Sequence, residues 1–176
     1  MPVSPFLLHH FSWQFRPERF NLLSQHNKTK GTNTVDSPNI ARTQQYLQAI
    51  ASMGPFEKVG DFCSPDIVVQ EFPNRIVPQG RIRRAADLSA AYEQGHKILQ
   101  SQIYTVRRNF EAGDEVVAEL ERTGILAVPV MNLPAGSEMK AFVAMFLTFR
   151  EGKIVSQRNY DCYPPFESQP TSANPG

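Results

Sequence analysis

Long apolar runs are missing from this chain. No stretch approaches the roughly 18 to 20 residues that cross a bilayer as a helix, so no membrane partner is expected. Cysteine is scarce: Cys63 and Cys162 stand far apart and form no CxxC, which implies neither a disulfide framework nor a zinc site. Histidine is scarce where it would matter, since His9, His10 and His26 precede the main body of the chain and leave His96 alone in it. No metal is therefore expected, and His96 reads as a capping or surface residue. A surplus of one charge is also lacking. The formal net charge of +1 at pH 7 provides no electrostatic footprint for nucleic acid or an anionic membrane. GxSxG, GxGxxG, the P-loop and HExxH are all absent. No cofactor is implied, and the chemistry left open is cofactor-independent catalysis or plain ligand binding.

What is present suits a globular protein, with 41% hydrophobic and 20% charged residues. Near the start, Pro5, His9 and His10 interrupt the apolar run that a secretory signal would need. Arg16, Arg19, Lys28 and Lys30 against Glu18 and Asp36 give a faint likeness to a transit peptide. Residues 24–38 are polar and offer little to bury. Residues 1–36 read as a flexible tail, 37–166 as one domain and 167–176 as a disordered C-terminal tail, in a cytoplasmic protein.

Order is expected to begin at Ser37-Pro38, a capping serine followed by a proline suited to a first helical turn. Ile40, Tyr46, Leu47 and Ile50 recur behind it at near-helical spacing, and Gly54-Pro55 ends that helix. FEKVGDF reads as a short helical turn, and the β-branched DIVVQEF as a strand. Residues 81–100 predict a long helix with Ile82, Ala85, Leu88, Ala91 or Tyr92, and Ile98-Leu99 on its buried side. Strands are then expected over SQIYTVRRNFEAG and over residues 115–128, 139–150 and 153–163, with 130–137 as a loop. Helices segregated on one side of an antiparallel meander describe an α+β fold in two layers. In MKAFVAMFLTF both alternating sets are apolar, so both faces of that strand are expected to be covered. The helices account for one face. A second subunit would cover the other, or else a third layer made by the N-terminal tail.

VVQEFPNRIVPQGR, ERTGILAV, LPAG and FREGKIVSQRNYD, in that order and spacing, resemble the nuclear-transport-factor-2-like superfamily, in its SnoaL-like and limonene epoxide hydrolase-like branch, over residues 37–166. The resemblance implies a cone: a curved antiparallel sheet wrapped around a long helix, with N-terminal helices and an internal pocket for a small-molecule ligand. It also implies a homodimer through the outer sheet face. It does not determine a reaction, because this cone hosts isomerases, cyclases, hydrolases, dehydratases and binding modules.

Strand alternation supplies pocket candidates. With Val143, Met145 and Leu147 inward, the neighbouring strand is expected to present Ser156, Arg158 and Tyr160 to the same cavity, and Asn159 and Asp161 to the opposite face. Leu120, Arg122 and Gly124 are expected inward on the middle strand, Val69 and Glu71 on the first, and Tyr92 can reach in from the long helix. Glu71 and Arg122, together with Asp161 although alternation puts it on the opposite face, are the candidate catalytic residues. Val69, Tyr92, Val143, Met145, Leu147, Arg158 and Tyr160 are the candidate ligand contacts. Limonene epoxide hydrolases activate water between two aspartates bridged by an arginine, with an asparagine and a tyrosine also holding the water. By resemblance, Arg122 keeps the arginine, while Gly124 and Arg158 replace the two acids. Glu71 takes the asparagine's position and Val69 the tyrosine's, so epoxide hydrolysis by that route is not expected.

What remains is one carboxylate, Glu71, facing the two guanidiniums of Arg122 and Arg158. That arrangement suits an anionic or enolate-like ligand, with Glu71 or Asp161 moving a proton. Structural roles stand beside it: Arg122 pairing with Glu119, Glu121 or Glu71, Arg158 reaching water, and Asp161 closing the strand. Three readings follow. The first is a SnoaL-like isomerase, cyclase or lyase acting on a small apolar, carbonyl-bearing or anionic molecule. The second is a non-catalytic ligand-binding or dimerisation module, and the third an accessory oligomerisation domain.

Overall fold

A computed structural model of the chain describes residues 37–166; the two expected tails, 1–36 and 167–176, lie outside the described residues. Helix α1 (Pro38–Ala51) starts where its cap dictates: Ser37 Oγ accepts the Ile40 N–H at 3.3 Å and Pro38 occupies the first turn. Thr43, Tyr46 and Leu47 form its buried side. The Thr43 hydroxyl satisfies itself by donating to the Asn39 carbonyl at 2.8 Å. A one-turn helix α2 (Glu57–Gly60) leads into β1 (Cys63–Glu71). Then follow β2 (Arg81–Arg84), α3 (Ala85–Ile98), β3 (Leu99–Ala112), β4 (Glu115–Leu126), β5 (Glu138–Arg150) and β6 (Lys153–Cys162). No helix among the described residues is long and apolar enough to cross a membrane.

The six strands form one curved, unclosed sheet in the order β2-β1-β6-β5-β4-β3, an α+β fold. Two features depart from the expected meander. The stretch expected to open the long helix is instead β2, paired antiparallel to β1 through Arg81–Glu71 and Arg83–Val69. Ile82, placed on the buried helix side by spacing, is therefore 62% exposed on an edge strand. Helix α3 begins only after Arg84, whose N–H is accepted by Asp87 Oδ2 at 3.0 Å. The second departure is that β6 returns to the middle of the sheet and pairs parallel with β1. Hairpins such as β5–β6 are local and visible in the sequence. A parallel pairing across the length of the domain leaves no local signature.

The β5–β6 turn is Glu151-Gly152, both at positive φ (52° and 72°), which is the backbone a two-residue hairpin requires. Strand β5 supplies the centre of the core: Ala141, Val143, Met145, Leu147 and Phe149 are all buried. Val116, Ala118 and Leu120 of β4, Ile67 and Val69 of β1 and Tyr46 and Leu47 of α1 complete it. On the other face of β5, Phe142 is 49% exposed. The apolar run in β5 thus has one face in the core and one open among the described residues.

Candidate active site

Register decides which side chains of β6 enter the cone. Pairing matches Leu147 with Gln157, Met145 with Asn159 and Val143 with Asp161. Directly opposed residues share a face, so Gln157, Asn159 and Asp161 point inward, and Ser156, Arg158 and Tyr160 point outward. This reverses the expected parity, and the cause is a bulge. Arg150 pairs with Lys153 and Phe149 with Ile154, but Thr148 pairs with Ser156, so Val155 is an extra residue. One inserted residue flips every later side chain to the opposite face.

Arg158 and Tyr160 therefore do not line the cavity. Arg158 Nη2 contacts Glu115 Oε2 at 2.9 Å on the outer face, with its guanidinium 5.0 Å from the Phe146 ring. Tyr160 stacks on Phe72 at 4.3 Å. Val143, Met145 and Leu147 do face inward, but they lie in the packed core and are not cavity walls.

The cavity has a volume of about 290 Å³ and is walled by residues of all three helices and all six strands, including Leu99 of β3 and Met139 of β5. Val69, Glu71, Tyr92, Arg122 and Asp161 all stand on its surface. Arg122 is placed by its row in the sheet, with Tyr104 opposite it on β3 and Ala141 on β5. The small Ala141 leaves room for the guanidinium to cross β5, and Nη2 donates to the Tyr163 hydroxyl at 2.7 Å. The structural partners considered for Arg122 are engaged elsewhere. Glu119 pairs with Arg108 at 3.0 Å, and Glu121 with Arg107 at 2.8 Å and with Lys140.

Glu71 does not complete the expected trio with Arg122 and Arg158. Its Oε2 accepts from Arg81 Nε at 2.7 Å and lies 3.6 Å from Arg83 Nη1, and its Oε1 accepts from Asn74 Nδ2 at 3.2 Å. Both arginines come from β2, which explains why they were missed. In Arg81-Ile82-Arg83-Arg84 the period-two alternation of arginine and isoleucine was the signal. The amides of β6 were also missed. The Tyr46 hydroxyl donates to Gln157 Oε1 at 2.7 Å, and Gln157 Nε2 donates to Asn159 Oδ1 at 3.1 Å. This relay sets the Asn159 amide so that its N–H groups remain as donors beside the cavity. Tyr163, just past the end of β6, was missed because the strand expected over 153–163, counted without the bulge, puts its odd-numbered residues on the opposite face.

The electrostatics divide the polar groups. Burial raises the Asp161 carboxyl above its ordinary range and the nearby Glu71 adds to this, while Arg122 and Arg81 pull the other way. Burial works against the charge on Arg122, but Tyr104, Tyr163 and Asp161 outweigh it and hold its pKa above the usual value. Burial likewise raises Tyr163, so it is a neutral phenol near neutral pH. His96 is no surface cap: its Nε2 is buried without a partner among the described residues, and its ring lies 4.3 Å from that of Tyr92. At Gly124, where a hydrolase acid would stand, a Cβ would come within 2.9 Å of Leu99 Cδ2. Among the described residues no three His, Cys, Asp or Glu side chains gather as metal ligands would. The cavity thus holds a carboxyl whose neutral form burial favours, a permanent cation and a phenol bonded to that cation.

Residues 43–157 match the family model described as a SnoaL-like domain. No curated protein matches the chain. Among solved structures, IdmH from Streptomyces antibioticus, a candidate polyketide cyclase, superposes with a TM-score of 0.60 at 19% identity, over 71% of this chain and 91% of that one. A Catenulispora acidiphila protein with a ketosteroid isomerase-like fold gives 0.54 at 16%, over 68% and 83%. An M. tuberculosis epoxide hydrolase of the limonene epoxide hydrolase-like kind gives 0.55 at 15%, over 70% and 82%. These likenesses show the shared fold.

Proposed function

The chain belongs to the SnoaL-like domain family, and from that premise we propose that it is a cofactor-independent enzyme that moves a proton on a small, apolar, carbonyl-bearing molecule. The observation that carries this reading is Asp161, an inward carboxyl with a raised pKa in the same cavity as Arg122. A carboxyl shifted toward the working pH is better suited to both taking and returning a proton.

In this mechanism the Asp161 carboxylate removes a proton from the carbon next to the substrate carbonyl. Charge builds on the carbonyl oxygen, and the Tyr163 hydroxyl donates to it. Because that hydroxyl already accepts from Arg122 at 2.7 Å, the fixed guanidinium polarises it toward donation. With a β,γ-unsaturated substrate the resulting dienolate takes the proton back from Asp161 at the γ carbon, which is isomerisation. Otherwise the enolate carbon attacks a second carbonyl within the molecule and Asp161 returns its proton to the alkoxide so formed, which is cyclisation. The description of IdmH as a candidate polyketide cyclase supports the latter class. Glu71, tied to Arg81 and Asn74, is assigned an anchoring role rather than proton transfer. The cavity lies near the lower end of the roughly 300 to 1,000 Å³ of ordinary ligand pockets, which favours a small substrate.

Proton NMR in D₂O tests this with 4-phenylbutan-2-one and benzoylacetone as probes. The wild type is expected to accelerate exchange beside the carbonyl, and Asp161→Asn to lower that rate by about 10² to 10⁴. Exchange no faster than buffer for both probes, or an unchanged rate in Asp161→Asn, overturns the proposal. Ligand affinity without turnover would leave a binding module.

The homodimer also belongs to this reading. Phe142, Phe146 and Tyr160 form an aromatic outer face on β5 and β6. Sedimentation at micromolar concentration tests it, and a monomer there would reject it.

A further inference from the structure

Strand β2 brings two guanidiniums to the cavity that the proton-transfer mechanism does not use. Arg81 and Arg83 alternate on one side of the strand and both reach the cavity wall, while Ile82 faces outward. A single carboxylate, Glu71, stands against them. Arg81 holds it at 2.7 Å, whereas Arg83 Nη1 is 3.6 Å away, a charge contact too long for a hydrogen bond. The second oxygen of Glu71 is taken by Asn74, and the nearby Asp87 accepts the Arg84 N–H. Burial and then the like charge of Arg81 lower the Arg83 pKa, against the pull of Glu71 and Asp87. Arg83, with its side chain only 23% exposed, thus keeps donors to spare beside the cavity. Three guanidiniums (Arg81, Arg83 and Arg122) line this cavity against two carboxylates, Glu71 and Asp161.

The sheet register separates these charges. The row of Arg83 crosses β1 at Val69 and β6 at Gln157. Arg122 pairs with Ala141, one residue beyond the Phe142–Cys162 pair. From Gln157 to Cys162 the strand runs roughly 16 Å at about 3.3 Å per residue. Arg83 and Arg122 therefore leave the backbone at rows well separated along β6, with the rows of Asn159 and Asp161 between them. The β2 end is an edge where Arg81 is 44% exposed, whereas Arg122 belongs to the buried end.

We propose that Arg83, with Arg81 beside it, anchors a substrate carboxylate: the pocket takes an elongated apolar keto acid whose carboxylate stays at the β2 rim while its carbonyl reaches Asp161 and Tyr163. This rests on the proton-transfer reading and adds the substrate class to it. A guanidinium fork matches a carboxylate in shape and charge. Leaving the anion at a half-open rim avoids the desolvation that burying it beside Arg122 would cost.

Calorimetric titration of the full chain tests the anchor, with ω-phenylalkanoic acids of two to six chain carbons and their primary amides as probes. The best acid is expected to bind about tenfold more tightly than its amide, the lower end of what a charged hydrogen bond contributes. Arg83→Gln should remove that preference while keeping the amide's affinity, and Arg83→Lys should keep part of it. Equal binding of acid and amide, no saturable binding of any acid, or a preference surviving in Arg83→Gln overturns the anchor. Asp161→Asn should leave the acid preference intact, which separates the two proposals. If exchange fails but the preference follows Arg83, the proton-transfer reading falls and the anchor stands. If exchange holds and the preference is absent, only the anchor falls.

Discussion

Gln157, Asn159 and Asp161 share β6 with Arg158, Tyr160 and Cys162, yet the two sets meet different surroundings. The inner set faces the cavity, where Tyr46 and Gln157 are bonded out of water and the Asp161 carboxyl is pushed up by burial. The outer set meets solvent and aromatic rings. Arg158 and Glu115 pair there with both side chains more than a third exposed, and Tyr160 is 42% exposed. Adjacent residues of one strand therefore differ in kind. A charge on the inner face is held in a cavity that shifts its protonation, and one on the outer face is a solvated pair worth little.

The largest separation of the two faces should appear in turnover. Asp161→Asn is expected to cost two to four orders of magnitude in the D₂O exchange rate (about 10² to 10⁴), while Arg158→Gln leaves it unchanged. Equal losses would mean that the inside and outside of β6 are wrongly assigned. Next in size is packing. Leu147 is fully buried, so Leu147→Ala should lower unfolding free energy by about 2 to 5 kcal/mol. Phe142→Ala, on the open face, should change the monomer by less than about 0.5 kcal/mol in urea titrations, as at other surface sites.

A smaller effect concerns pH. Because the folded state raises the Asp161 pKa, it holds that proton more tightly than the unfolded chain, whose carboxyl titrates near about 3.9. Stability should therefore fall as pH rises from about 4 through the raised value, with no penalty below both. Relative to Asp161→Asn, the wild type should lose thermal stability between pH 4 and 7, and an opposite slope would contradict the burial of this group. Smallest is the outer ion pair: Arg158→Gln should cost under about 1 kcal/mol, and less in high salt.

Several elements were legible because their causes are local. Ser37-Pro38 marks the start of α1, and Glu151-Gly152 marks a hairpin that needs two positive φ angles. β5, apolar in both alternating sets, was expected to be covered on both faces and has Phe142 exposed, whereas the inward direction of Val69, Glu71 and Arg122 followed from spacing. The Val155 bulge did not, because counting back from the hairpin assumes unbroken pairing, and that assumption exchanged Asp161 for Arg158 and Tyr160. β2 was hidden because Arg81 to Arg84 pairs with β1 rather than winding into α3. Isolated, this stretch has little to choose between the two conformations, and only the neighbouring strand decides.

Sequence by itself determined the class of fold, most of the strands and the presence of Arg122 and the acids. The tertiary structure decided which of those charges meet. Face along a strand has a period of two, so one bulge remote from the site reassigns it. Partners across a sheet depend on contacts between residues far apart in the chain. Glu71 therefore belongs to Arg81 and Arg83, and Arg122 to Tyr163 and the cavity of Asp161.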